Sequence, residues 1–227
     1  MARPSHKSDE QLIDAALALM PRQGLSALRI REVARKAGVN LGMFHYHFKS
    51  KRAFTRRVFK AFYERFFERL TAAIAAAEGA PPRERLRAGM LAIIRFGRDH
   101  RGHMLSILRD VMDGDAEAIA FVRENFPRHI AIMYRLVREA QRAGVLQRLP
   151  LPVLLPVLAA PQLLPVVGVA AVERVVAGTL LGFPVAGLAR LLLTDRMIAA
   201  RLDLSLAAVS AARRPGTAGP GAGRGRS

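Results

Sequence analysis

The stretch GVNLGMFHYHFKSK, Gly38 to Lys51, gathers side chains that could do chemistry. His45 and His47 flank Tyr46, and Lys49 and Lys51 follow. A metal site and a nucleic-acid reading surface are the two candidates. Residues at i and i+2 on a helix point about 200° apart, so His45 and His47 cannot close on one ion. No Asp, Glu or further His lies in the segment. His100 and His103 are better spaced, at i and i+3, but lack an evident third ligand. No metal and no cofactor is expected.

A reading surface needs rigid elements to hold it. Ser8, with Gln11 three residues on, fits a capping box opening a first helix, which Pro21 and Gly24 should end or kink. A second helix is expected over about 29–36, with Ile30, Val33 and Ala34 as its apolar stripe and Ser26 as the nearest cap. Gly38 suits the left-handed residue that ends it. Asn40 can cap a third helix and Ser50 a long fourth one reaching about residue 77. Phe44 and Phe48, at i and i+4, would dock the third helix on the first two. Met43, Tyr46 and His47 would then face outward, with Leu41 and His45 at the edges. Helix, short turn, helix is the helix-turn-helix pattern, and such side chains can reach base edges and phosphates in a major groove. Lys51 and Arg52 fall in the first turn of the fourth helix, where the dipole disfavours cations unless an anion such as phosphate binds there.

Composition points the same way. The 227 residues carry 36 Lys and Arg against 18 Asp and Glu, a formal charge of +18. Residues 1–70 hold 15 of these cations and six of the anions. Polyanionic partners are favoured, either nucleic acid or an anionic membrane, and the helix-turn-helix pattern selects double-stranded DNA. There is no cysteine, which excludes disulfides and thiolate metal sites. The N-terminal stretch lacks an apolar signal core, so a cytoplasmic location is expected. No GxSxG, phosphate loop or paired-carboxylate site suggests an enzyme. Asp110, Asp113 and Asp115 read as a helix end, a Gly turn and a new acidic helix start.

Helical periodicity dominates the rest, with helices expected over about 83–98, 103–111, 116–143 with a possible break at Pro127, and 186–208 with an irregularity near 193–195. The fold class is therefore all-α. An N-terminal three-helix helix-turn-helix unit covers 1–50 and a larger helical unit covers 51–210. The Gly/Pro/Arg-rich tail, 211–227, is expected to be disordered. Residues 149–172 carry no charge but five prolines, at 150, 152, 156, 161 and 165. The expected reading is a buried, kinked helix pair in the core or dimer interface, or a pocket wall, not a membrane span.

The run REVARKAGVNLGMFHYHFKSKRAF, Arg31 to Phe54, resembles the DNA-binding domain of the TetR family of bacterial transcriptional regulators. The resemblance rests on Val33-Ala34, the Ala37-Gly38-Val39 turn, the Tyr46-His47-Phe48 cluster and Lys51. It covers about residues 8–56. By position it implies that Arg29 and Arg31 touch backbone or base, that Leu41, Met43 and His45 read bases, and that Tyr46, His47 and Lys51 contact phosphates. Two departures stand out: His45 replaces a usual Tyr, and no hydroxyl residue occupies Leu28 or Arg29.

The resemblance also implies a larger domain that dimerises and encloses a small-molecule pocket. Arg95, His103, Met104, Phe126, His129 and Met133 are candidate pocket residues, fitted to a small apolar or amphipathic effector. Leu188, Leu191, Leu192, Ile198, Leu202 and Leu206, with part of 149–180, are expected at a homodimer interface. The expected function is a ligand-responsive repressor that binds a palindromic operator as a dimer. The alternative is a non-specific, basic architectural DNA-binding protein.

Overall fold

A computed structural model describes residues 5–180 and 182–211. The expected tail disorder falls at 212–227, outside the described residues. Ten α-helices account for nearly all of the described chain: α1 Ser5–Gln23, α2 Ile30–Ala37, α3 Leu41–His47, α4 Lys51–Ala76, α5 Pro82–Asp99, α6 Arg101–Met112, α7 Ala116–Arg142, α8 Leu151–Val175, α9 Leu188–Leu192 and α10 Asp195–Ala208. A two-residue antiparallel ribbon, Thr179–Leu180 against Phe183–Pro184, joins α8 to α9. The fold is all-α, with a helix-turn-helix at its N-terminal end and a larger helical assembly behind it.

Local chemistry sets several helix ends. Gly38 takes φ +69°, the left-handed conformation that costs glycine no Cβ clash. The Asn40 side chain accepts from the Gly42 N–H at 2.8 Å, and Ser50 Oγ accepts from the Ala53 N–H at 3.1 Å. Asp115 caps α7 by accepting from Glu117 and Ala118. Thr194 caps α10 through the Met197 N–H, which produces the irregularity expected near 193–195.

Two apolar cores organise the helices. The first joins Leu12, Ala16 and Met20 of α1 to Val33, Phe44, Phe48, Phe54, Val58 and Phe62, and extends to Phe96 of α5 and Ile107 of α6. It therefore runs past residue 50 along α4. The second joins Leu86 and Met90 of α5, Leu136 and Val137 of α7, Leu154 and Leu158 of α8, and Ile198, Leu202 and Leu206 of α10.

Four expectations change. First, α1 begins at Ser5, so Ser8 lies within it and is not its cap. Second, Pro21 neither ends nor breaks α1, which continues to Gln23, and Pro127 likewise sits inside an unbroken α7. Third, the uncharged stretch forms one helix, α8, that passes through Pro156, Pro161 and Pro165. Only 28% of its most apolar window is buried, so it is not a core helix pair. Pro156 and Pro161 lie on exposed parts of α8, where water can serve the carbonyls that lose an intrahelical bond. Fourth, Ile198, Leu202 and Leu206 are fully buried within their own chain. They pack against α5 and α8 and are not free for a partner.

Candidate nucleic-acid interface

Three aromatic rings fix α3. Phe44 meets Phe54 edge-on with centroids 5.2 Å apart, and Phe48 meets Phe54 edge-on at 4.8 Å. Phe44 and Phe54 are almost wholly buried. Burial of each such side chain contributes roughly 1.5–3 kcal/mol, and edge-to-face packing adds about 0.5–1.5 kcal/mol per pair. The tight turn at Gly38 and Val39, whose N–H bonds the Ala34 carbonyl at 3.1 Å, fixes the angle between α2 and α3.

With one face of α3 pinned, the opposite face is set. Tyr46 is 74% exposed, and His45 beside it is also exposed. Met43 and His47 are half-buried at the margin of this face. The ring of His47 lies edge-on to Tyr46 at 5.2 Å, and its Nε2 is buried without a hydrogen-bond partner among the described residues. Leu41 is half-buried and packs on the first core. Arg29 occupies the cap position of α2 without a capping side-chain bond. Arg29 and Arg31 are both exposed near α3 in the chain.

The cations at the start of α4 have partners within the protein. Lys51 Nζ donates to the Ser26 carbonyl at 2.6 Å. Arg52 and Arg56 both pair with Glu117 in the first turn of α7. Hydrogen bonding from Arg56 holds the Glu117 carboxyl below its ordinary pKa, with Arg52 adding to the effect. Dipole-disfavoured cations in this turn are thus partly balanced by an internal carboxylate. Lys51 still has two free N–H donors, and its side chain is exposed.

Ser26, expected as the nearest cap for α2, does something else. Its hydroxyl donates to Asp110 Oδ1 at 3.2 Å. Asp110 also accepts from the Leu25 N–H at 3.1 Å. The residues that sequence reasoning missed here are Ser26, Asp110 and Glu117. Their partners lie 61 to 85 positions away in the chain, so no local pattern marks them.

The six pocket candidates fall in different places. Arg95 lines a groove of about 600 Å³ between α4 and α5, with Arg69, Ala73, Arg87, Ala88 and Leu91. The other five do not line it. His103 stacks on Phe62 at 5.1 Å. Phe126 meets His129 edge-on at 4.7 Å, and the His129 ring lies 5.2 Å from that of Phe66. Tyr63 Oη and His129 Nδ1 are 3.2 Å apart. Met133 is buried in the second core and Met104 is exposed on α6. Burial pushes His129 down to about 4. Burial also lowers His103, and it lowers His100, helped by the charges of His103 and Arg69. These histidines sit in an aromatic cluster as neutral rings near neutral pH.

Helices α2 and α3, their tight turn and the exposed face of α3 have the geometry of a nucleic-acid reading head. The comparison with known proteins agrees. Residues 12–58 match the family described as "Bacterial regulatory proteins, tetR family". Over these residues the chain is similar to the TetR family. The matched segment spans most of α1, all of α2 and α3, and the first two turns of α4. Among curated relatives, the "Probable HTH-type transcriptional regulator YttP" of Bacillus subtilis (strain 168) is 23% identical over 143 residues, 63% of this chain and 69% of YttP. The "HTH-type transcriptional repressor KstR2" of Mycolicibacterium smegmatis is 28% identical over 109 residues, 48% of this chain and 51% of KstR2. In fold, the chain is similar to the transcriptional regulator FadR of Bacillus subtilis, solved in complex with stearoyl-CoA. The TM-score is 0.64 at 17% identity, over 88% of this chain and 98% of FadR.

Proposed function

We propose that this chain is a cytoplasmic transcriptional regulator of the TetR family, a repressor that binds a palindromic operator as a homodimer and responds to a small molecule. The observation that carries the reading is the α2–turn–α3 unit. Its buried face is locked by Phe44, Phe48 and Phe54, and its other face offers Tyr46 and His45 to solvent. We divide the chain at Ser50, the α4 cap, into a DNA-binding unit (1–50) and a regulatory unit (51–210). Leu41, Met43 and His45 read bases. Tyr46, His47 and Lys51 contact phosphates, and Arg29 and Arg31 flank them. Apolar readers favour thymine methyl groups over bidentate hydrogen bonds.

The dimer face is assigned to α8. Its buried stripe, Leu154, Leu158, Gln162, Val166 and Val169, faces its own chain, and Gln162 Nε2 donates to Ser205 Oγ of α10 at 3.3 Å. The opposite face exposes Val153, Val157, Ala160 and Leu164 at steps of four, three and four residues, the spacing of a helix-pairing seam. Leu164 is 68% exposed. By length and composition α8 could cross a bilayer, but the internally packed Gln162 stripe supports a helix pairing with its own kind. Exposed Leu204, with Ala200 and Ala207, extends the apolar face onto α10.

The effector is taken to be apolar or amphipathic. His103, Phe126 and His129 border one aromatic cluster where α4, α6 and α7 meet, with Met133 one turn along α7 and Met104 beside His103. Arg95 faces the separate α4–α5 groove. Selection of bound fragments from sheared genomic DNA, at about 150 mM salt to suppress backbone binding, tests the function. A few palindromic sites are expected. Recovery of unselected DNA would favour the architectural alternative.

A further inference from the structure

Helix α6 lies along the C-terminal half of α1 and touches it, or the loop that follows it, at three levels. His103 Nε2 bonds the Leu17 carbonyl at 2.9 Å. A Cβ on Gly102 would come within 2.8 Å of Pro21 Cβ, so the helices are in close contact there. About two turns further along α6, Asp110 takes the Leu25 N–H and the Ser26 hydroxyl. Asp110 is 3% exposed. Both of its donors are neutral and it forms no ion pair among the described residues, although Arg109 lies nearby, so this is a costly way to join two elements. Gly24 adjoins this contact with φ +82°, and a Cβ there would sit 2.8 Å from Asp110 Oδ1 and 2.7 Å from Arg109 Nη2. The α1–α2 loop is therefore fitted closely over the end of α6.

The same loop holds a proposed DNA contact. Ser26 gives its hydroxyl to Asp110 and its carbonyl to Lys51 Nζ. We propose that Asp110 is a positioning residue for DNA binding, acting through Ser26 on the Lys51 ammonium. Helix α6 belongs to the regulatory unit and Lys51 to the DNA face, so displacement of α6 would be felt at a phosphate contact. The bridge is two hydrogen bonds and one residue long. This inference rests on the reading that Lys51 contacts phosphate.

A double-mutant cycle on duplex binding by the full chain tests it, with the selected operator and a scrambled duplex as probes at about 150 mM salt. Lys51→Met should weaken binding to both duplexes several-fold. Asp110→Ala should weaken binding by a similar factor, and Lys51→Met added to it should cost less than about twofold more. Asp110→Asn keeps an acceptor for the Leu25 N–H and an amide for the Ser26 hydroxyl, and should restore binding. Unchanged affinity in Asp110→Ala, or effects that multiply, would overturn the proposal. A merely structural Asp110 would lower the melting temperature and leave the Lys51→Met effect at full size. If Asp110→Ala does not fold, Ser26→Ala enters the same cycle, since it removes one of the two bonds at an exposed residue. Partial coupling to Lys51 supports the proposal and strict additivity overturns it. Equal binding by the wild type and Lys51→Met would instead remove Lys51 from the DNA contacts, and no binding to any duplex would end the DNA reading itself.

Discussion

His103 Nε2 lies 2.9 Å from the carbonyl oxygen of Leu17, the carbonyl that Pro21, four residues on, cannot bond. A carbonyl can only accept, so His103 must carry its proton on Nε2. Proline removed an intrahelical bond, and a histidine from another helix replaced it. The result is a polar link between α1 and α6.

His103→Phe should keep the stack on Phe62 and orphan the Leu17 carbonyl. Urea denaturation should show a loss of about 1–2 kcal/mol. In a Pro21→Ala background the residue-21 N–H can serve Leu17, and the same substitution should cost less than about 0.5 kcal/mol. Equal losses in both backgrounds would contradict the bond exchange.

Acid should destabilise the protein in two stages. His129 is held down to about 4 by burial, and burial also lowers His100 and His103. These groups bind more protons unfolded than folded below about pH 6.5, so their stability is complete above that value and is lost as pH falls. His129 alone accounts for about 2 kcal/mol at pH 5. Carboxylates held low by arginines, such as Glu117, Glu64 and Asp203, lose their contribution only as pH falls through about 4.5 and lower. Denaturation midpoints between pH 7 and 5 should therefore fall, and His129→Leu should flatten that fall.

Much of the DNA-facing half was legible in the sequence because its signals are local. Gly38, Asn40 and Ser50 act within one turn of their own position, and the Phe44–Phe48 spacing fixes a helix face without outside help. The errors came from long-range partners. Ser26 has the chemistry of a cap, but its hydroxyl is taken by Asp110. Lys51 and Arg52 suggested a bound phosphate, a reading that stays open, but the internal acceptors they also have, Ser26 and Glu117, are revealed by no spacing rule. Pro21 and Pro127 suggested breaks, but tertiary contacts and exposed carbonyls allow the helices to continue. Ile198, Leu202 and Leu206 of α10 look like an interface in sequence, and only packing against α5 and α8 shows that they are core.

Glu117→Gln should release Arg52 and Arg56 toward DNA. These pairs are largely exposed on the arginine side, so stability should change little. Affinity for a scrambled duplex should rise several-fold at low salt, and the slope of log K against log salt should steepen by about 1–2. Fluorescence anisotropy across a salt series would measure both. An unchanged slope would mean that the two arginines lie outside the DNA footprint.

Leu164→Glu should leave the fold intact, because the residue is 68% exposed, and should split the homodimer. Sedimentation equilibrium would then find a monomer where the wild type is a dimer. Operator affinity should fall with it, since a lone subunit holds one half-site. A wild type that is already monomeric, or a dimer that tolerates the charge, would remove α8 from the interface.

The most direct test is a pair of anisotropy titrations of the wild type, on the selected operator and on a scrambled duplex, repeated with Met43→Ala and Tyr46→Ala. Sequence reading by α3 predicts operator binding at least about 10³-fold tighter than scrambled. Met43→Ala should shrink that ratio, while Tyr46→Ala should weaken both duplexes alike and leave the ratio standing. Equal affinity for the two duplexes, with the same steep salt slope, would contradict the account and leave only a basic protein that coats DNA.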